Sequence, residues 1–118
     1  MITVRFHPSG DGGPVREYLE KLRTDSGKKE AWAKLAIDLA VLAAEGLRSE
    51  RITVKRVTGV KGSVWELVRP FGGMAYRIYF CVLKGEAWLV HWAEKKSGKI
   101  PAHDVGVIRR RAREVFGK

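Results

Sequence analysis

Residues 64–92 read VWELVRPFGGMAYRIYFCVLKGEAWLVHW, and this stretch decides the fold. It contains three strand-like runs, Val64 to Arg69, Ala75 to Leu83 and Glu86 to Trp92, separated by short turns that contain glycine. Because such short connections join neighbouring antiparallel strands, the stretch predicts an antiparallel meander. A fourth strand-like run, Arg51 to Val57, precedes it across another glycine-containing turn and extends the meander.

The run from Ala75 to Leu83 carries apolar residues on both faces of the predicted sheet. One set of alternate residues is Tyr76, Ile78, Phe80 and Val82, and the other is Arg77, Tyr79, Cys81 and Leu83. Successive side chains of a strand point to opposite faces. We therefore expect one face to pack against helices, while the second face, which carries Arg77, stays at least partly open.

The residues before the meander predict a strand and a helical hairpin. Apolar residues alternate from Ile2 to Phe6 as in a short strand, and a glycine-rich turn follows. A helix is predicted from Pro14 to about Arg23, since proline suits the first turn of a helix. A second helix is predicted from about Lys28 to Gly46, with capping oxygens in the segment 24–27.

The whole chain, residues 1–118, is predicted to be one α+β domain. The helical hairpin packs on a mainly antiparallel sheet of four or five strands, and a basic helix from Pro101 to about Phe116 follows. A chain of 118 residues buries roughly two-thirds of the surface that its unfolded form exposes, so its core needs no disulfide. The single cysteine, Cys81, cannot form an internal bridge and points to the reducing cytoplasm.

The positive charge is concentrated in the second half of the chain. The protein has 23 Lys and Arg against 13 Asp and Glu, a formal net charge of +10. Residues 1–49 contribute a net charge of +1 and residues 50–118 a net charge of +9. The N-terminal part therefore resembles an ordinary solvated scaffold, whereas the C-terminal part is suited to phosphates or an acidic partner.

Several kinds of chemistry have no signature in the sequence. The three histidines lie far apart without paired cysteines, so we expect no metal, and no phosphate-binding loop or hydrolase nucleophile motif is present. No apolar run approaches the roughly 20 residues that a membrane span needs. We expect no small-molecule cofactor and no membrane partner.

Basic side chains on a sheet are suited to cleaving RNA without a metal. In such cleavage the 2′-hydroxyl attacks the adjacent phosphorus, so the enzyme supplies cations for the transition state and groups that accept and donate protons. Lysine and arginine stabilise the phosphorane charge directly. A lysine crowded by other cations can also have its pKa lowered and serve as the base.

Four blocks of sequence together resemble the phage-related branch of the HigB/RelE toxin superfamily. The blocks are PVREYL (residues 14–19), GSVWELVR (62–69), GMAYRIY (73–79) and KKSGKIP (95–101). The resemblance covers about residues 14 to 114 and rests on the order and spacing of the blocks. It implies a RelE-like fold and a metal-independent endoribonuclease that cleaves mRNA on the translating ribosome. It also implies a helix-turn-helix antitoxin as partner.

The resemblance carries functional positions onto this chain. Its catalytic positions correspond to Arg69, Arg77, Lys95 and Lys96. We expect further RNA contacts from basic and aromatic residues near them: Lys55, Arg56, Lys61, Tyr79, His91 and Lys99. No tyrosine follows the lysine pair in the last helix, so a mechanism that relies on one is absent.

Strand alternation leaves several of these assignments open. It places Arg69 on the face of Trp65 and Leu67, unless a bulge before Pro70 returns it to the other face. Arg77 either contacts RNA or forms a structural ion pair with an acid such as Glu66. Lys55 and Arg56 point to opposite faces, so only one of them can face the RNA.

The aromatic and histidine candidates have ordinary structural readings as well. His91 is either an acid–base group or a hydrogen-bonded strand histidine, and Tyr79 is either a stacking platform or part of the core. The arginines of the last helix surround it and are better suited to general phosphate attraction or an acidic antitoxin segment. The shifted position of Arg69 and the missing tyrosine in the last helix leave an alternative function open, a non-catalytic nucleic-acid-binding module or a decayed toxin that binds only its antitoxin.

Overall fold

The computed structural model describes residues 1–96 and 98–117 and confirms the α+β class. The elements in chain order are β1 Thr3–Phe6, α1 Pro14–Thr24, α2 Lys29–Glu45, β2 Thr53–Arg56, β3 Val64–Phe71, β4 Met74–Leu83, β5 Glu86–Lys95 and α3 Ala102–Phe116. No helix among the described residues is long and apolar enough to cross a membrane.

The strands form one sheet in the order β1-β5-β4-β3-β2. Strands β2 to β5 make the predicted antiparallel meander, and β1 adds to β5 as a parallel edge strand. Between β1 and β2, the helical hairpin carries the chain from one edge of the sheet to the other. This long crossover places β2 at the far edge, so the meander runs back across the sheet and its last strand, β5, pairs with β1.

The helices α1 and α2 cover the first face of the sheet. Leu67, Ile78 and Phe80 of this face are fully buried in one apolar cluster with Leu22 and Leu35 of the helices. This matches the predicted alternation of β4, since Ile78 and Phe80 belong to the set expected to face helices. The apolar side chains of the hairpin and of this sheet face are therefore buried against each other, and burial of apolar surface is the main favourable term in folding.

The entry to α1 requires a glycine. Gly13 has φ 146°, and a Cβ atom at this position would lie 1.9 Å from the His7 carbonyl oxygen. Pro14 then occupies the first helical turn, as predicted, where its missing N–H group costs no hydrogen bond. The close approach of Gly13 to His7 ties the start of the helical hairpin to the end of β1.

The start of α2 differs from the expected side-chain cap. Lys28 occupies the N-cap position, and no side chain caps the helix there. The Asp25 carboxylate instead accepts a hydrogen bond of 2.8 Å from the Gly27 backbone N–H, which stabilises the turn between the helices. At the other end, Gly46 follows the helix with φ 83°, as the sequence predicted.

The second face of the sheet is covered in part by α3. Tyr79, Cys81 and Val90 are fully buried in a second cluster with Ile108 and Ala112 of this helix. Burial raises the pKa of the Cys81 thiol to about 12. The helix thus divides this face into a packed half and a half that remains open beside the first turn of α3.

Candidate active site

The open half of the second face forms a groove of about 540 Å³. We call it the sheet groove, and residues of β2, β3, β4 and the segment before α3 line it. The lining side chains that carry charge and face the groove include Lys55, Glu66, Arg77 and Lys99. The predicted partly open face therefore exists, and Lys55, Arg77 and Lys99, three of the candidate cations, line it together with one carboxylate.

The register of the sheet brings these residues together. Lys55 lies opposite Glu66, Glu66 opposite Tyr79, and Tyr79 opposite His91, so the four residues form a row across four strands. Directly paired residues share a face of the sheet, with their Cβ atoms roughly 5 Å apart. Arg77 lies two residues before Tyr79 on β4 and therefore on the same face.

Arg77 is the most constrained cation of the sheet groove. Its Nη1 lies 3.3 Å from Glu66 Oε2 and donates a hydrogen bond of 3.4 Å to the Gly98 carbonyl oxygen. Its Nε is buried and has no hydrogen-bond partner among the described residues. Because a buried donor without a partner is costly, this N–H is a local cost of holding Arg77 in position.

Tyr79 lies beneath the groove. Its side chain is fully buried in the cluster under α3, and its hydroxyl has no hydrogen-bond partner of normal geometry among the described residues. Burial and the neighbouring Glu66 carboxylate raise the pKa of this hydroxyl. The ring therefore presents no face on which a base can stack, and Tyr79 belongs to the core.

A β-bulge in β5 decides where His91 points. Tyr79 pairs with His91, whereas the next residue, Phe80, pairs with Leu89, so Val90 is an extra residue in β5. Without this insertion, strict alternation would place His91 and the buried Val90 on opposite faces. The bulge turns His91 toward α3, and Arg111 of that helix donates a hydrogen bond of 2.7 Å to the Val90 carbonyl oxygen.

Asp104 joins His91 and Lys95 at the first turn of α3. Its carboxylate lies 2.9 Å from His91 Nε2 and 3.5 Å from Lys95 Nζ. Burial lowers the pKa of His91, although Asp104 opposes this shift. Burial by itself would raise the pKa of Asp104, but the hydrogen bond from His91 and the charge of Lys95 lower it overall. An ionised Asp104 can only accept, so Nε2 of the neutral imidazole carries the proton.

Arg69 lies on the other face of the sheet, away from the groove. Its Nε and Nη2 bind the two carboxylate oxygens of Asp38 in α2 at 2.8 and 2.5 Å. Asp38 is only 2% exposed, and its hydrogen bonds raise the pKa of Arg69. No register shift is present between β3 and β4 near Pro70, so strict alternation holds and Arg69 does not join Arg77.

The remaining predicted contacts are spread around the groove. Lys55 and Arg56 both belong to the lining of the sheet groove. Lys55 shares the face of Glu66, whereas the Arg56 guanidinium lies 5.3 Å from the centre of the Trp65 ring and donates a hydrogen bond to the Gly62 carbonyl oxygen. The polar, lysine-rich sequence of residues 95–99 predicts a basic loop, but Lys95 is the last residue of β5. Lys96 is exposed directly after the strand. Lys61 lies in the β2–β3 connection, outside the sheet groove.

Two acidic residues of the site were not among the sequence-based candidates. Glu66 was considered only as a structural partner of Arg77, and the structure confirms that ion pair. One feature of the sequence points to Asp104: it lies three residues after Pro101, in the first turn of the helix, where an acidic side chain stabilises the helix. Among the described residues, no three His, Cys, Asp or Glu side chains are grouped as metal ligands would be.

Comparison with known families places this geometry in context. Residues 18–113 match the model of the family described as "Phage derived protein Gp49-like (DUF891)". The chain belongs to this Gp49-like family. It is a family of RelE/HigB-type toxins, so membership supports the toxin superfamily and implies an antitoxin as partner. No curated protein and no solved structure matches the chain.

The Gp49-like match spans the elements that build the sheet groove. It begins at Tyr18 in α1 and ends at Arg113 in α3, so β2 to β5 and the start of α3 all lie inside it. Tyr18 itself stacks on Trp92, with ring centres 4.0 Å apart, and donates a 2.7 Å hydrogen bond to Glu94. This contact fixes the end of β5, from which Lys95 extends.

Proposed function

We propose that this Gp49-like toxin is a metal-independent endoribonuclease that cleaves mRNA on the translating ribosome in the cytoplasm, as a single domain of the HigB type. The observation that carries the proposal is the sheet groove, where Lys55, Arg77 and Lys99 line the same cavity as Glu66. Such a groove combines cations for a phosphate with a carboxylate that can accept a proton. A helix-turn-helix antitoxin would neutralise the toxin.

The groove supplies the elements of cleavage by the 2′-hydroxyl. The 2′-oxygen forms a bond to phosphorus while its proton passes to Glu66, the only carboxylate among the described lining residues. The bond from phosphorus to the 5′-oxygen breaks, and that oxygen takes a proton from a lysine ammonium, Lys55 or Lys99. The products are a 2′,3′-cyclic phosphate and a 5′-hydroxyl end.

Arg77 supplies the charge stabilisation in this proposal. Its guanidinium is held in place by Glu66 and the Gly98 carbonyl oxygen, and its side chain, 12% exposed, lines the groove. A preorganised donor of this kind stabilises the phosphorane charge without reorganising during the reaction. Lys95 and Lys96, on the strand and turn beside the groove, contribute further contacts with the RNA backbone.

The proposal is tested by inducing the wild type and Arg77→Ala in cells and mapping new mRNA 5′ ends. We expect growth arrest and new ends with the wild type only. Arg23→Ala is the matched control, because it removes an equal charge from an exposed ion pair on α1. Equal toxicity and equal cleavage by Arg77→Ala, at equal protein levels, would exclude this groove as the site of the reaction.

The alternative is a non-catalytic module that binds nucleic acid or only its antitoxin. The tight pairing of Arg77 with Glu66, two side chains that are 12% and 8% exposed, favours it, because such a pair also has a purely structural use. This alternative predicts salt-sensitive RNA binding without new ends on programmed ribosomes. Cleavage by purified protein on those ribosomes would exclude it.

A further inference from the structure

A second groove lies at the C-terminal end of α3. It has a volume of about 700 Å³, and we call it the helix groove. Val60, Ala112 and Phe116 form its apolar lining, whereas Lys61, Arg109 and Arg113 provide its charge. None of its described lining residues is acidic. The proposed mechanism uses none of these side chains.

The two grooves lie end to end along one seam between α3 and the β2–β3 connection. The sheet groove reaches Thr58 and Val105, and the helix groove begins at the next residue of the connection, Gly59, and one turn further along α3. Arg109 Nη2 donates a 2.7 Å hydrogen bond to the Gly59 carbonyl oxygen and spans the seam between them. An extended ligand strand that leaves the sheet groove along this seam therefore passes directly over Arg109.

The Phe116 ring is held in a defined position in the helix groove. A Cβ atom at Gly62 would lie 2.7 Å from Phe116 Cε2, so the ring edge packs against a site that only glycine leaves open. The side chain is partly buried and contacts the cluster beneath α3. A fixed aromatic ring beside lysine and arginine is the combination that binds single-stranded nucleic acid, through base stacking and phosphate contacts.

We infer that the helix groove is a second RNA subsite, which holds the strand as it continues from the sheet groove. This inference rests on the proposed function. From Val105 to Phe116 the helix advances about 16 Å at 1.5 Å per residue, which corresponds to about five stacked nucleotides at 3.4 Å each. Phe116 stacks on a base of this segment, and Lys61 and Arg113 contact its phosphates.

The test measures binding of single-stranded 2′-O-methyl oligouridylates, which cannot be cleaved through the 2′-oxygen. Fluorescence anisotropy at low salt compares a 4-mer, which occupies the sheet groove alone, with a 12-mer, which reaches both grooves. We expect Phe116→Leu to weaken binding of the 12-mer about 5-fold or more, since it removes one stacking contact. The slope of the logarithm of the 12-mer binding constant against the logarithm of salt concentration is expected to become about one unit shallower in Arg113→Ala. The weaker binding of Phe116→Leu and the reduced salt dependence of Arg113→Ala should both be larger for the 12-mer than for the 4-mer.

Matched variants separate a defined subsite from general charge attraction. Arg110→Ala removes an equal charge from α3 but does not line the helix groove, and Phe116→Tyr keeps the aromatic ring. We expect both to bind the 12-mer like the wild type. Equal weakening by Arg110→Ala and Arg113→Ala would overturn the subsite, and so would unchanged 12-mer binding by Phe116→Leu.

Two further outcomes distinguish this inference from its alternatives. If Arg113→Ala and Phe116→Leu leave RNA binding intact but prevent neutralisation by the antitoxin, the groove binds an acidic protein segment and the inference is wrong. If Arg77→Ala cleaves like the wild type while the length-dependent losses occur, the proposed catalytic site fails and the helix groove remains an RNA-binding site.

Discussion

Arg77 and Glu66 form an ion pair across β3 and β4, with 3.3 Å between Nη1 and Oε2, in which both side chains are nearly buried. Withdrawing two charges from water costs several kcal/mol unless the partners and further hydrogen bonds compensate. The pair therefore holds the Arg77 guanidinium in one position, at the base of a groove that is open to a ligand. Positioned charge of this kind is what phosphoryl chemistry requires.

The first prediction concerns Glu66→Gln, which keeps the size of the side chain and removes its charge. We expect the cleavage rate to fall about 100-fold or more, because the proton acceptor is lost. The free energy of unfolding should fall by about 2 kcal/mol, because Arg77 loses its charged partner. Single-turnover cleavage on programmed ribosomes and urea unfolding measure the two effects. Wild-type cleavage by the folded variant would show that Glu66 is not the base.

The second prediction concerns the stability of the fold at acidic pH. Burial lowers the pKa of His91 below about 6.5, the ordinary value for histidine, so the unfolded chain binds this proton more tightly than the folded chain. The stabilisation is therefore complete above about pH 6.5 and is lost as the pH falls through the lower folded pKa. We expect the midpoint of thermal unfolding to drop over this range, and to drop less in His91→Gln.

His103→Gln is the control for the pH experiment, because His103 is exposed near the start of the same helix. It should stay close to the wild-type profile, because the charge of His103 makes the smallest of the contributions to the lowered pKa of His91. Identical pH profiles for the wild type and His91→Gln would contradict the assigned environment of His91.

The third prediction separates Arg69 from catalysis. Arg69→Met leaves the buried Asp38 carboxylate without its bidentate partner. We expect the variant to lose about 3 kcal/mol of unfolding free energy, at the lower end of the range for broken buried pairs because Arg69 is partly exposed. The double variant Asp38→Asn/Arg69→Met should recover part of this loss.

Cleavage by Arg69→Met should match the wild type at a temperature where the variant is fully folded. A loss of rate without a loss of stability would return Arg69 to the catalytic groups. Circular dichroism during urea unfolding provides the stability measurement, and the same ribosome assay provides the rate.

The fourth prediction concerns the bulge in β5. Arg111→Met removes the donor to the Val90 carbonyl oxygen. We expect faster hydrogen exchange at the backbone of β5 around His91, and a stability loss of about 2 kcal/mol, because a charged hydrogen bond is lost and a buried carbonyl is left unpaired. Arg110→Met, an exposed neighbour on α3, is the control and should leave exchange unchanged. Equal exchange in both variants would mean that the bulge does not depend on Arg111.

Most of the fold follows from local patterns in the sequence. Glycine turns separate the strands, and alternation along β4 correctly divides Ile78 and Phe80 from Tyr79 and Cys81. These features are predictable because the alternation of buried residues along a strand and the residue preferences of a turn each depend on residues that are close together in the sequence. The same alternation correctly placed Arg69 beside Trp65 and Leu67, and only the resemblance to a family suggested a catalytic role for it.

The tertiary structure alone decided how the candidate site is assembled. The bulge at Val90 turns His91 toward α3, and no local pattern reveals it, because the carbonyl that it frees is paired with Arg111, 21 residues away. The register between β2 and β3 places Lys55 opposite Glu66, and register depends on how two separate segments pair. The sequence by itself determined the elements, their apolar faces and the excess of positive charge. The docking of α3 decided which half of the sheet is buried and which half is open, because that choice depends on packing between distant segments.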